Sequence, residues 1–156
     1  MIKEISPKSK VDLVDKIYGH DILKISSQYD ISILWQVISL VPNSFEILEH
    51  VISKTKSHLF LASLFYEGDI DFHCKVQEYK RNRSLDYVIF SLPRFITHLK
   101  ENYSPKNIFI IDFKIKKELP IKDKDWIDSY TLKLNDSNEI FAGPIRLDWK
   151  LMRIDF

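Results

Sequence analysis

HLFLASLFY, residues 58–66, is apolar at both odd and even positions. A strand that is apolar on both faces is typical of the centre of a sheet. The turn residues Glu67-Gly68-Asp69 follow it, and residues 69–80 then alternate between apolar and polar side chains. This order predicts a hairpin that joins a central strand over 58–66 to a half-exposed partner over 69–80.

Further strands are predicted downstream of this hairpin. Residues 85–92 and 108–116 are rich in β-branched and aromatic side chains, which favour strands. Two more strands are expected over 126–134 and 140–154, with a turn at 135–138 and a bend at Ala142-Gly143-Pro144. Between them, Pro93 opens a predicted helix that ends before Ser104-Pro105.

Upstream of residue 58 the pattern is mainly helical. Ser6-Pro7 is typical of a helix start, and a helix is predicted over 7–18. A second helix is predicted over 44–56, where Asn43 and Glu46 have the spacing of a capping box. Residues 21–41 are ambiguous, since helical spacing at their start gives way to an alternation typical of a strand (Ile31, Ile33, Trp35, Val37). Helix is the favoured interpretation because of the segment's length.

Together these elements predict an α+β fold. N-terminal helices would pack on a mostly antiparallel sheet of about five to six strands, with one further helix between strands. The length of 156 residues suits one domain, 1–156, with a helical part over 7–56 and a sheet-rich part over 58–156.

Composition excludes several function classes. The formal net charge of +1 does not suit a non-specific nucleic-acid binder, and the isolated glycines form no phosphate-binding loop or nucleophile elbow. Cys74, the single cysteine, can form no internal disulfide. The start MIKEISPKSK contains no apolar signal-peptide core, and no apolar run is long enough to span a bilayer. We therefore expect a cytoplasmic protein with no cofactor, no bound metal and no membrane association.

A catalytic function is an alternative to the protein expected from composition. Metal-dependent nucleases often carry an acidic residue two positions before a lysine on a strand, with another aspartate upstream. Asp112-Phe113-Lys114 with Asp86 has this form, so a small nuclease or other hydrolase that uses Asp112 and Lys114 is the first alternative. A small-molecule pocket between the sheet and the helices, lined by aromatic side chains, is the second.

Charge distribution favours a protein-binding role instead. Residues 75–106 carry seven bases and three acids, whereas residues 118–139 carry six acids and three lysines. Oppositely charged surfaces suit recognition of a protein partner. The lead hypothesis is a non-enzymatic protein-binding domain, such as a bacterial or phage immunity or inhibitor protein that neutralises a toxin encoded nearby. The predicted contact residues are on the polar face of strand 69–80 and at its end: Asp71, His73, Lys75, Tyr79, Arg81 and Arg83.

Overall fold

The structure of this chain is a computed structural model that describes residues 22–79, 82–120, 129–134 and 137–156. In those ranges it has nine strands, two α-helices and a short 3-10 helix. In chain order they are β1 (Tyr29–Trp35), the 3-10 helix (Ile38–Leu40), α1 (Ser44–Lys54), β2 (Thr55–Tyr66), β3 (Phe72–Glu78), β4 (Arg83–Ser91), α2 (Leu92–Tyr103), β5 (Asn107–Asp112), β6 (Ser129–Leu134), β7 (Ser137–Ala142), β8 (Ile145–Arg146) and β9 (Trp149–Asp155).

Strand β2 is the centre of a six-stranded mixed sheet, as its apolar sequence predicted. β9 pairs with it antiparallel on one side, and β5 pairs with β9. The other side of β2 is shared by two strands. β1 runs parallel to β2 up to Ala62, and β4 runs parallel to it at Phe65 and Tyr66. β3 completes the sheet as the antiparallel neighbour of β4.

The 3-10 helix fills the gap that β1 and β4 leave beside β2. Its residue Ser39 is fully buried, and the Ser39 hydroxyl oxygen accepts a hydrogen bond of 2.7 Å from the backbone N–H of Leu64. The same hydroxyl is hydrogen-bonded to the hydroxyl of Ser63, which is also fully buried. One side chain therefore satisfies a backbone donor that a neighbouring strand would otherwise have paired.

Both helices pack on one face of the sheet and share a single apolar cluster with it. α1 contributes Ile47 and Leu48, and α2 contributes Phe95 and Leu99. Phe65 of β2 lies at the centre, with its ring centroid 5.1 Å from that of Phe95. We call this the first cluster. α1, of 11 residues, and α2, of 12 residues, are the described helices, and neither is long and apolar enough to cross a membrane.

A second, smaller sheet has the order β6-β7-β8. It packs on the main sheet through a second cluster, in which Leu64 and Trp149 contact Ile140, Ala142 and Leu147. Gly143 adopts a positive φ of 54° in the turn between β7 and β8, a conformation that few residues other than glycine adopt readily. The predicted single strand over 140–154 is thus divided between β7, β8 and β9.

The predicted fold class was wrong. The described chain is mostly sheet, the main sheet is mixed, with two parallel and three antiparallel pairings, and its helices alternate with strands instead of preceding the sheet. Residues 29–35 form strand β1 where a helix was favoured, because β-branched side chains pack well on a pleated surface. The predicted helix over 7–18 lies outside the described residues.

The predicted hairpin was also wrong. Residues 69–80 do contain strand β3, but β3 pairs with β4 and not with β2. Both edges of β2 are already occupied, by β9 on one side and by β1 and β4 on the other. By contrast, the helices predicted over 44–56 and from Pro93 to Tyr103 are confirmed as α1 and α2.

Candidate protein-binding surface

The face of the main sheet opposite the helices carries a block of exposed apolar side chains. Four adjacent strands, in the order β1-β2-β9-β5, present alternate residues on this face in matched register. We call these residues the open face, and its three rows are Ile31, His58, Asp155 and Asn107; Ile33, Phe60, Arg153 and Phe109; and Trp35, Ala62, Leu151 and Ile111.

Six of these residues are large, apolar and between 40% and 67% exposed to solvent, namely Ile31, Ile33, Trp35, Phe60, Phe109 and Ile111. Single exposed apolar residues are normal on protein surfaces, but a contiguous group of this kind marks an interaction site. These six residues lie on β1, β2 and β5, and Leu151 of β9 joins the two parts of the group across the fourth strand.

One end of this side of the main sheet is covered by other strands, and the other end is exposed. One residue pair further along β2 and β9, Leu64 and Trp149 continue the same face and are buried in the second cluster. The small sheet β6-β7-β8 therefore covers one end of this face, and the six large apolar residues of the three rows stay exposed, whereas Ala62 and Asp155 between them are buried. The apolar residues on this side of the main sheet could be covered by a complete second layer of strands. The described residues supply only part of such a layer, the small sheet.

A charged strip crosses the open face on β2 and β9. The ring Nδ1 of His58 lies 2.9 Å from Asp155 Oδ1, and Arg153 Nη2 donates a hydrogen bond of 3.2 Å to Asp155 Oδ2. The Arg153 guanidinium also lies 4.1 Å from the centroid of the Phe109 ring, in a cation–π contact. Burial raises the pKa of Asp155, but the hydrogen bonds and charges of His58 and Arg153 outweigh burial and hold that pKa below its ordinary value. The charges of Arg153 and Asp155 compensate each other.

A second charged group lies at the end of β5 and β9, on the opposite side of the sheet from the open face. Lys150 is only 9% exposed, and its ammonium lies 2.7 Å from Asp112 Oδ1 and 2.6 Å from Glu67 Oε1. The hydrogen bond from Lys150, together with its charge, lowers the pKa of the Asp112 carboxyl. Burial lowers the pKa of Lys150, but the hydrogen bonds and charges of Asp112 and Glu67 together outweigh burial and raise it.

This ion pair predicts a pH-dependent effect of Asp112→Asn. The pKa of Asp112 is lower in the folded state than in the unfolded state. The stability that its charge contributes is therefore complete at pH values above the unfolded-state pKa of about 3.9, and it is lost as the pH falls through the folded-state pKa. Since Asp112 is more than half exposed, we expect a loss of only about 0.5–1 kcal/mol at pH 7. Urea unfolding of both proteins from neutral to acidic pH should show the two stabilities converging. A difference that persists in acid would show that the ion pair is not its cause.

The residues of the nuclease alternative are not brought together. Asp112 pairs with Lys150 and not with Lys114, whose contribution is a weaker, through-space charge effect. Asp86 lies on β4, opposite Lys75 of β3, and two strands, β2 and β9, separate β4 from β5. In the described ranges, no group of three or more His, Cys, Asp or Glu side chains is placed to hold a metal ion.

The predicted contact residues on and around β3 are only partly brought together. His73 and Lys75 are exposed on β3, and Tyr79, just beyond its end, is 89% exposed. Arg81 and the side chain of Arg83 lie outside the described parts of the structure. These assignments remain predictions.

Asp71 has a structural role instead of joining that strand face. It precedes β3, and its Oδ1 accepts a hydrogen bond of 2.6 Å from the backbone N–H of Ser91, while its Oδ2 lies 3.2 Å from Arg94 Nη1. Ser91 is the N-cap of α2, and its hydroxyl accepts a hydrogen bond from the backbone N–H of Arg94. Asp71 thus ties the turn before β3 to the start of α2.

This contact predicts that Asp71→Ala will destabilise the fold by about 1–2 kcal/mol, because it leaves the buried Ser91 N–H without an acceptor. The matched control is Asp69→Ala, an exposed carboxylate in the same turn, which should change stability by less than about 0.5 kcal/mol. Thermal and urea unfolding measure both. Equal stabilities for the two variants would assign Asp71 to the solvent-exposed strand face after all.

A cavity of about 280 Å³ lies between the starts of the two helices. It is lined by Phe45, Asp71, Arg94, Phe95 and His98. This volume lies at the small end of the range for ligand pockets, and Asp71 already engages the Arg94 guanidinium. The small-molecule alternative therefore stays a prediction.

Sequence patterns missed the open face, although a signal for part of it was present. The alternation of Ile31, Ile33 and Trp35 is the period of a strand, and it identifies the apolar residues of β1 that lie exposed on the open face. Comparison with known proteins adds no functional information, because no protein-family model, curated protein or solved structure matches this chain.

Proposed function

We propose that this chain is a non-enzymatic protein-binding domain, and that its contact surface is the open face. The observation that carries the proposal is a group of six large apolar side chains on β1, β2 and β5, each at least 40% exposed. Strand β9 lies between β2 and β5 and adds the half-buried Leu151 to the same face. Exposed apolar area is costly in water, at roughly 25 cal/mol per Å², and a protein partner would remove that cost.

The charges on this face favour a protein over a nucleic acid as the partner. Nucleic-acid binding depends on cationic side chains that are free to neutralise phosphates. Arg153, the cation within the three rows, is already engaged by Asp155 and by the Phe109 ring. An apolar surface with compensated charges instead resembles the buried core of a protein–protein interface.

An immunity or inhibitor protein that neutralises a partner in the cytoplasm is the specific form of this function that we favour. Its recognition surface would include the exposed side chains of β3, His73 and Lys75, with Tyr79 beyond them. β3 lies at the edge of the main sheet opposite β5, so these residues form a surface separate from the open face.

The test is cysteine accessibility in cells of the native host. Ile33→Cys and Ile70→Cys, both in a Cys74→Ser background, place one thiol on the open face and one on an equally apolar exposed site away from it. In dilute purified protein both thiols should react with a maleimide. In cells, the thiol at position 33 should be protected and the one at position 70 should react. Equal reaction at both positions in cells would contradict the proposal.

A further inference from the structure

We propose that the partner covering the open face is a second copy of this chain, so that two open faces pack against each other in a symmetric dimer. This inference rests on the proposed function, since both require the open face to be a protein contact surface. It adds the identity of the partner.

The apolar character of the face favours a permanent partner. Interfaces that form and dissociate are about as apolar as the rest of a protein surface, whereas homodimer interfaces are more apolar. Ile33 and Ile111 are two-thirds exposed on the outer strands β1 and β5, so the apolar surface extends across the full width of the four strands. A second copy is a partner that is present whenever the chain itself is made.

The charges on the face are compatible with self-association. When two identical faces meet, every charge meets the same set of charges, so an uncompensated cluster would repel its copy. Here Arg153 and Asp155 form an ion pair within one chain, with His58 hydrogen-bonded to the same carboxylate. The whole chain has a formal net charge of only +1, which adds little repulsion.

The shape of the surface also suits a two-fold arrangement. The small sheet β6-β7-β8 covers the end of the face that carries Leu64 and Trp149, and it leaves the opposite end bare. Two copies related by a two-fold axis that lies in the interface plane, perpendicular to the strands, would place each small sheet beyond the exposed end of the other. Paired sheets of this kind pack face to face about 10 Å apart, with interdigitated side chains.

The test is sedimentation equilibrium of the full chain between about 1 and 100 µM, a range that resolves micromolar dissociation constants. Ile33→Lys and Ile111→Lys each place a charge at the contact twice, once per copy, and should raise the dimer dissociation constant by at least about 30-fold. Ile70→Lys is the matched control, because Ile70 is also more than half exposed but lies outside the open face. It should leave the dissociation constant unchanged. Circular dichroism checks that each variant is folded.

The outcomes separate the two proposals. A wild-type dimer that Ile33→Lys dissociates and Ile70→Lys does not would support both. A monomer at all concentrations, with the thiol at position 33 still protected in cells, would overturn the dimer and leave the proposed function standing. A monomer without protection at position 33 would overturn both. A dimer that survives Ile33→Lys and Ile111→Lys would show that the copies meet through another surface, which overturns this inference.

Discussion

Replacing Phe65 with alanine will lower the free energy of unfolding by about 3–5 kcal/mol. Phe65 is 1% exposed, and its ring lies 5.1 Å from that of Phe95 and 6.0 Å from that of Phe90. These rings join β2, β4 and α2 in the first cluster, so the cavity left by the substitution cannot be filled by a small local movement. Urea unfolding monitored by circular dichroism measures the loss.

Phe60→Ala is the matched control for this prediction, because the same substitution is made on the same strand but on the opposite face. Phe60 is 40% exposed on the open face, and its loss should cost less than about 1 kcal/mol at concentrations where the chain is monomeric. Because the register of a strand decides which residues face the core, equal losses for the two variants would contradict the assignment of the faces of β2.

Ser39→Ala is expected to cost about 2–4 kcal/mol, which is a large effect for the removal of one hydroxyl group. The substitution leaves two fully buried groups without this partner, the backbone N–H of Leu64 and the hydroxyl of Ser63. Each buried polar group that loses its hydrogen bond costs about 1–3 kcal/mol. The effect follows from the gap between β1 and β4, where Ser39 takes the place of a strand.

Ser63→Ala separates the backbone contribution from the hydroxyl pair. In that variant Ser39 still accepts the hydrogen bond from Leu64, so the loss should be only about 1 kcal/mol. Equal losses for Ser39→Ala and Ser63→Ala would show that the Leu64 N–H does not depend on Ser39. Hydrogen exchange at the Leu64 amide provides a second readout, since only Ser39→Ala should accelerate it.

The elements that the sequence predicted correctly are those with local signals. α2 follows its N-cap Ser91 and has Pro93 in its first turn, and its buried stripe of Phe95 and Leu99 has helical spacing. β2 is recognisable as central because it is apolar at odd and even positions alike. In both cases a few neighbouring residues determine the outcome, through capping, proline geometry or the period of the apolar side chains.

The pairing of strands could not be predicted in this way. Glu67-Gly68-Asp69 has the residues of a tight turn, but the strand that follows it pairs with β4, because β9, β1 and β4 compete for the two edges of β2. That competition depends on residues far apart in the chain. Residues 29–35 were misassigned for a related reason, since only the contact with β2 favours a strand over a helix there.

The same limit applies to the candidate site. The alternation of Ile31, Ile33 and Trp35 shows that these side chains share one face. It does not show whether a second layer covers that face, because the cover comes from β6, β7 and β8, about a hundred residues later in the chain. Only the assembled register shows that the small sheet ends before the three rows.

Photo-crosslinking from the open face shows whether a protein contacts this surface in cells. A photoreactive phenylalanine analogue at position 60 or 109 replaces a ring on this face, and the same analogue at position 72 replaces a ring that is equally exposed but lies on β3. Irradiation of cells of the native host should yield a discrete protein adduct from positions 60 and 109 and none of the same mass from position 72. Absence of a protein adduct from positions 60 and 109 would contradict the claim that the open face is a protein contact surface.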